Sequence, residues 1–151
     1  TYLIICMLQF MLMLLIGLFL FPYMGLPKLE LQGTFLMLFI VTLFSGLAAV
    51  GLGILLGTIA KTQEQAAPFA ATFVVILAAI GGIWVPVFAM PKIMQSVSRI
   101  SPMNWGLDAY YDVLLRKAGF GQIALELLLL FSFFLITVLV ALFYDKKKRA
   151  V

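Results

Sequence analysis

The sequence predicts an all-α polytopic membrane protein: a bundle of four transmembrane helices with a short re-entrant or interfacial helical hairpin on its outer side. The first observation is composition. Of 151 residues, 65% are hydrophobic and 11% are charged, and the mean hydropathy is +1.20, whereas a soluble domain carries about 25% charged residues. The second is spacing, because Asp, Glu, Lys and Arg are absent from residues 1–27, 31–60, 65–91 and 127–144.

These uncharged stretches predict spans at about residues 2–22, 33–60, 66–90 and 121–144. A helix needs about 20 apolar residues to cross a bilayer. The spans must be helical because an unpaired backbone group in lipid costs several kcal/mol and the sequence lacks the alternation of a barrel. The first residue is Thr1, already inside an apolar run. We therefore expect residues 1–151 to be a partial transmembrane domain of a longer protein.

Four spans place both ends on one side, and the charges suggest which side. Four consecutive basic residues, 146–149, directly follow the last span, which is typical of a cytoplasmic end. The Lys and Arg count is tied, with Lys61 and that cluster inside and five residues outside: Lys28, Lys92, Arg99, Arg116 and Lys117. The position of the cluster favours cytoplasmic ends in a prokaryotic plasma (inner) membrane. The same cluster explains the net charge of +4. We therefore expect no nucleic acid as a partner.

The second span has one face of small side chains. Four residues at steps of four form it: Ser45, Ala49, Gly53 and Gly57. Small residues at this spacing let helix backbones approach closely in lipid. The pattern predicts helix packing within the chain in preference to a dimer interface.

The end of the third span predicts a break in the helix. The pattern comprises Gly81, Gly82, Trp84, Pro86 and Phe88. Glycine is flexible and proline removes a helix hydrogen bond, and broken helices at membrane depth line a cavity or are buried in protein. These residues are therefore predicted to line a transport pathway or form its outer gate. An ordinary helix end anchored by Trp84 at the interface fits equally well.

Two polar residues within the spans invite a functional interpretation. Gln9 is a weaker candidate for the pathway, and a hydrogen bond to a neighbouring helix, of about 1 kcal/mol, is the favoured alternative. Glu126 is shallow in the fourth span, so we expect it to snorkel outward or to pair with Arg116 or Lys117.

Residues 92–120 predict the outer hairpin. Ser101-Pro102 separates two short helical patterns, which we expect to lie in or dip into the membrane interface. On the second pattern, the spacing of Asp112 and Arg116 predicts an ion pair worth only about 0.3–0.5 kcal/mol.

The residue inventory argues against catalysis. There is no His, one Cys and six acidic residues, and none of these is grouped at metal-ligand spacing. No phosphate-binding loop is present, because Leu55 and Ala60 occupy the positions of its two glycines. We expect no catalytic residue, metal or cofactor on this chain, and ATP only on a partner.

Three stretches resemble one family. They are GLGILLGTIAKTQEQA at 51–66, GIWVPVFAMP at 82–91 and ISPMNWGLDAYYD at 100–112. Together they are similar to the membrane permease of type-2 ATP-binding-cassette (ABC) exporters. The resemblance covers nearly the whole chain and corresponds to the carboxy-terminal four of the family's six spans.

The resemblance implies a dimeric exporter. Two permease halves, expected to be identical, would each dock on a cytoplasmic ATPase, and substrate would cross the cleft between them. The alternative is a membrane scaffold or assembly subunit that transports nothing. An ion-coupled carrier is a third interpretation, but it needs charges near the bilayer midplane, which the spans lack.

Overall fold

The computed structural model describes residues 1–25, 33–60 and 62–149. Within those ranges the chain is helical and has no strand. The helices are α1 Tyr2–Tyr23, α2 Phe35–Ile59, α3 Gln63–Ile80, α4 Lys92–Ser98, α5 Pro102–Arg116 and α6 Phe120–Arg149, with a short 3₁₀ turn at Val87–Ala89. The predicted all-α class is confirmed. Residues 26–32, between the first two predicted spans, and Lys61 lie outside the described residues, and α3 begins at Gln63, three residues before the predicted start of the third span.

Three of the described helices, α1, α2 and α6, are long and apolar enough to cross a membrane. The apolar part of α3 is shorter, Glu64–Ile80. At 1.5 Å per residue, the 18 residues of α3 extend about 27 Å, close to the ~30 Å of a hydrocarbon core. A polytopic membrane bundle is therefore confirmed, and α3 as a fourth span stays a prediction.

The centre of the bundle is the contact between α2 and α6, the most extensive between any two helices described. These helices run parallel. Buried Leu38 shares a core cluster with Ile123 near the start of each helix, and further along the rings of Phe44 and Phe131 lie 5.9 Å apart, edge to face. Burying these side chains between two spans holds them in a fixed register.

Helix α1 runs antiparallel to α2 and is offset along it. Leu3 lies beside Gly46, about halfway along α2, and Leu14 packs against the core cluster that contains Leu38. Gly17 is the one buried residue of α1. Most of the α1 surface therefore faces lipid or other protein.

Helices α4 and α5 form the predicted hairpin. Pro102 occupies the first turn of α5, where its missing N–H costs nothing. The indole Nε1 of Trp105 donates to the carbonyl oxygen of Arg99 at 2.7 Å, which ties α5 to the end of α4. Helix α5 packs on α6, on α2 and on α3. Tyr110 contacts Thr42 and Trp105 contacts Phe133, so α5 lies along the first halves of α2 and α6, which we call the hairpin end of the bundle.

The predicted ion pair on α5 is confirmed. Arg116 Nη1 lies 2.7 Å from Asp112 Oδ1. The Arg116 side chain is 79% exposed, so the pair is solvated and contributes little to stability.

Candidate functional site

The chain turns sharply where α3 ends. The N–H of Gly81 donates to the carbonyl oxygen of Leu77 at 2.7 Å, completing the last helical turn. Gly82 then adopts a φ of 91°, a conformation that side chains with a Cβ rarely take. The helix ends at Ile80, and the predicted break at Gly81 is confirmed. The third span was predicted to continue to residue 90. The chain is instead irregular after Ile80, apart from the 3₁₀ turn at Val87–Ala89.

Close packing also requires glycine at both positions. A Cβ at residue 81 would lie 2.5 Å from the Cβ of Met103 and 3.2 Å from the Oγ of Ser101. A Cβ at residue 82 would lie 2.7 Å from Val87 Cγ2. The end of α3 is thus held directly against the start of α5.

The structure separates the predicted gate residues into two groups. Gly81 and Gly82 are buried, Gly81 against α5 and Gly82 against Val87, whereas Trp84, Pro86 and Phe88 are exposed, Phe88 by 85%. The aromatic side chains point away from the bundle. Their predicted role in a pathway stays a prediction.

Gln9 lies on an exposed part of α1. It is not among the residues that line the pocket described next. Its predicted role also stays a prediction.

A pocket of about 380 Å³ lies beside the end of α3. We call it the α2–α3 pocket. Helices α2, α3, α5 and α6 and the segment after α3 line it, and its wall includes Ser45, Ala49, Gly53, Val74, Ile83, Met103, Gly106, Tyr110 and Phe133. It brings the small-residue face of α2 and the hairpin into one site.

The small-residue face of α2 therefore borders open space along part of its length. Ser45, Ala49 and Gly53 line the α2–α3 pocket, and Gly57 does not. A Cβ added at Gly53 or at Gly57 would meet nothing within 4 Å. Among the described helices, none approaches α2 closely at these two glycines, so the predicted packing of this face stays a prediction.

The close helix approaches on α2 occur at glycines that the sequence did not single out. A Cβ at Gly51 would lie 2.5 Å from Thr137 Oγ1 and 2.9 Å from the ring of Phe134. A Cβ at Gly46 would lie 3.2 Å from Leu3 Cδ1. The spacing of four favoured the face that contains Ser45, Ala49, Gly53 and Gly57. A glycine outside such a pattern does not show in the sequence which helix it contacts.

One polar contact joins α2 to α5 beside the pocket. Thr42 Oγ1 and Tyr110 Oη are 2.8 Å apart. Thr42 donates its own proton to the carbonyl oxygen of Leu38 at 2.7 Å, so Tyr110 is the donor to Thr42. Burial raises the pKa of Tyr110 above its ordinary value of 10.0, which keeps the phenol protonated and able to donate.

Four buried side-chain oxygens have no hydrogen-bond partner among the described residues. They are Ser45 Oγ, Ser98 Oγ, Ser101 Oγ and Glu126 Oε2. Ser45 lines the α2–α3 pocket, and its Oγ lies 3.3 Å from where a Cβ on Gly106 would be. The Oγ itself is buried, so it does not face the open space of the pocket.

Acidic side chains cluster where α5 meets α6. Partial burial raises the pKa of Asp108, the carboxylates of Asp112 and Glu126 raise it further, and Arg116 lowers it. Arg116 forms an ion pair with Asp112, and the alternatives for Glu126, snorkelling outward or pairing with Arg116 or Lys117, stay predictions. No group of three or more His, Cys, Asp or Glu suited to a metal ion is found among the described residues.

The sequence profile of the family described as ABC-2 type transporter matches residues 1–115. The chain belongs to the ABC-2 type transporter family. Members of this family are membrane permeases of ABC transporters, so the chain is an integral membrane protein of a transporter and not a member of a catalytic enzyme family. The resemblance stated from the three sequence stretches is confirmed.

The ABC-2 chain is also similar to a curated protein, the linearmycin resistance permease protein LnrN of Bacillus subtilis (strain 168). The two are 29% identical over 79 residues, which cover 52% of this chain and 20% of LnrN. The chain thus matches about a fifth of the length of that relative. No solved structure matches the chain.

Proposed function

We propose that this chain is part of the permease subunit of an ABC exporter. It would form a dimer with a second, identical permease half and dock on a cytoplasmic ABC ATPase that binds and hydrolyses ATP. It would lie in a prokaryotic plasma (inner) membrane with both ends of the chain in the cytoplasm. The observation that carries the proposal is the ABC-2 profile match over residues 1–115.

The name of the curated relative supports export. LnrN is called a resistance permease, and a permease that confers resistance by transport must move its substrate out of the cell. The apolar composition of the spans gives no further indication of substrate class.

The geometry suggests how the hairpin end would take part. Gly81 lets the end of α3 approach Met103 of α5 closely, and α5 in turn packs on α2 and α6. A movement of α3 would therefore be transmitted to the hairpin as a rigid-body displacement, because packed interfaces rearrange between discrete states. ATP binding on the partner would close the cytoplasmic side, and the segment from Gly81 to Met90 would open the other.

The test is purification of the full-length permease from its native host by an affinity tag. The proposal predicts that an ATPase subunit co-purifies and that the complex hydrolyses ATP. Replacing the phosphate-binding lysine of that subunit is the control and should abolish hydrolysis. If no ATPase co-purifies and the purified sample hydrolyses no ATP, the result would support the scaffold alternative instead.

A further inference from the structure

The last turn of α6 carries a cluster of positive charge. Helix α6 continues without interruption from its apolar part through residues 145–149. Four of these five residues are basic, and Asp145 is the acidic one. Lys146, Lys147 and Lys148 are exposed and form no ion pair with any residue that the structure describes. We call residues 145–149 the basic turn.

The register between α2 and α6 indicates the depth of the basic turn. The two helices run parallel, and Thr137 of α6 lies beside Gly51 of α2. Asp145 lies eight residues beyond Thr137, and Ile59, the last residue of α2, lies eight residues beyond Gly51. The basic turn therefore begins at the level where the neighbouring candidate span ends.

The length of the uncharged part of α6 indicates the same depth. Residues 127–144 contain no charged side chain and extend about 27 Å at 1.5 Å per residue, close to the ~30 Å of a hydrocarbon core. The headgroup layer adds about 5–8 Å on each side, and five residues of helix rise about 7.5 Å. When the uncharged part crosses the core, the basic turn lies within the headgroup layer.

The directions of the lysines favour lipid over a second protein as the partner. Successive residues of a helix point about 100° apart, so Lys146, Lys147 and Lys148 spread over more than half of its circumference. A protein packed against one side would reach only some of them, whereas headgroups surround a helix on every side that protein leaves open. A water-soluble partner would also dock beyond the headgroup layer, and these side chains emerge inside it.

We propose that the basic turn of α6 binds anionic phospholipids, with the lysine ammonium groups at the headgroup phosphates. Zwitterionic lipids carry the same phosphate, but their own cationic group repels a lysine, so the site selects for net negative charge. Because the lysines point in different directions, each contacts a separate lipid. The proposal depends neither on the exporter assignment nor on which side of the membrane the turn occupies.

The test places a photoreactive residue beside the basic turn of the full-length permease. Tyr144, which is 46% exposed and directly precedes the turn, is replaced by p-benzoylphenylalanine. The protein is reconstituted in liposomes of equal parts phosphatidylglycerol and phosphatidylcholine with identical acyl chains. After irradiation, mass spectrometry counts the adducts of each lipid. Phosphatidylglycerol adducts should exceed phosphatidylcholine adducts about fivefold, the ratio expected for one lysine at an anionic surface.

Replacing the three lysines together distinguishes charge from side-chain length. In the triple variant Lys146→Gln, Lys147→Gln, Lys148→Gln, the two adducts should approach equal yield, because the charge of Asp145 then offsets that of Arg149. The corresponding triple change to Arg keeps the charge and should keep the ratio. Lys92→Gln, at an exposed lysine of the hairpin, removes a charge elsewhere and should leave the ratio unchanged.

Salt gives a second measurement that needs no change to the lysines, should the glutamine variant fail to insert. Raising the ionic strength from 0.1 M to 1 M shortens the Debye length from about 10 Å to about 3 Å, so the ratio should fall by about twofold or more.

Three results would overturn the proposal. One is equal yield of the two lipid adducts at low salt. Another is a ratio that neither the glutamine variant nor salt changes. The third is adducts with protein in place of lipid, which would show that a further protein segment surrounds the basic turn.

Discussion

Tyr110 on α5 forms a hydrogen bond with the hydroxyl group of Thr42 on α2. Its phenol donates to Thr42 Oγ1 at 2.8 Å in a largely buried setting. Tyr110→Phe should destabilise the protein by about 1 kcal/mol, since a typical intramolecular hydrogen bond contributes 0.5–1.5 kcal/mol. The measurement is the thermal unfolding midpoint by circular dichroism in detergent.

The neighbouring residue provides the control for that change. Tyr111 is 51% exposed, and Tyr111→Phe should leave the midpoint nearly unchanged. Thr42→Val combined with Tyr110→Phe should cost less than the sum of the two single changes, because both remove the same bond. Additive costs would contradict the assignment.

Asp108 makes stability depend on pH. Its pKa is raised in the folded state above the ordinary 3.8, so the folded protein holds the proton more tightly than the unfolded chain does. Stability should therefore decline as pH rises from the unfolded value through the folded one. Asp108→Asn should stabilise the protein at pH 7 and not at pH 3, by less than about 1 kcal/mol because the side chain is well exposed.

Unfolding midpoints at the two pH values measure this effect. Asp112→Asn is the comparison background: it removes a carboxylate that raises the pKa of Asp108, so the gain from Asp108→Asn at pH 7 should be smaller there. A stabilisation by Asp108→Asn that is equal at both pH values would rule out deprotonation of Asp108 as the cause.

Among the elements, the contact between α2 and α6 includes a close approach at Gly51. A Cβ at Gly51 would lie 2.5 Å from Thr137 Oγ1 and 3.3 Å from the Cα of Phe134. Gly51→Ala should cost about 1–3 kcal/mol, the usual range for overpacking. Gly53→Ala, two residues away with nothing within 4 Å, should instead be neutral or stabilising by up to about 1 kcal/mol through helix propensity.

The same unfolding assay compares the two variants. Equal midpoints would mean that α6 does not approach α2 at Gly51. A large loss in Gly53→Ala would mean that another helix of the intact protein packs on the small-residue face.

The helix boundaries and the ion pair were predictable where they depend only on residues that are neighbours in the sequence. Pro102 begins α5 because proline is well suited to the first turn of a helix, although Pro22 and Pro68 lie inside α1 and α3. The Asp112–Arg116 spacing places both groups on one helix surface. The end of α3 was predictable from Gly81 and Gly82. The extent of the irregular stretch was less so, because residues 83–90 are as apolar as the helix before them.

The site was predictable only in part. Helical periodicity shows that Ser45, Ala49 and Gly53 share a face, but not whether that face meets a helix or an open pocket. Likewise, Trp84 and Gly81 are close in sequence, yet Trp84 is exposed and Gly81 is packed on α5. The neighbours of a residue belong to helices that are distant in the sequence, and a local sequence pattern does not specify those helices.

At the scale of the molecule, the number of crossings is decided by α3. In a background without Cys6, Glu64→Cys and Phe88→Cys place single thiols before and after α3. If α3 spans the membrane with the chain ends in the cytoplasm, a membrane-impermeant maleimide added to intact cells should label residue 88 and not residue 64. Permeabilising the cells should expose residue 64.

Each alternative arrangement gives a different labelling pattern. Labelling of residue 64 alone in intact cells would reverse the orientation. Labelling of both residues, or of neither until permeabilisation, would show that α3 stays on one side of the membrane. Phe88 is 85% exposed, so its substitution should not disturb packing.

The helices of this bundle differ greatly in length. Helix α6 has 30 residues and α3 has 18, so they extend about 45 Å and 27 Å against a hydrocarbon core of about 30 Å. The charged end of α6, residues 145–149, can extend beyond the core. If α3 crosses the bilayer, its shortness leaves a mismatch that thinning of the leaflets would relieve at fractions of a kcal/mol per Å, and host lipids with longer tails would strain that flank first.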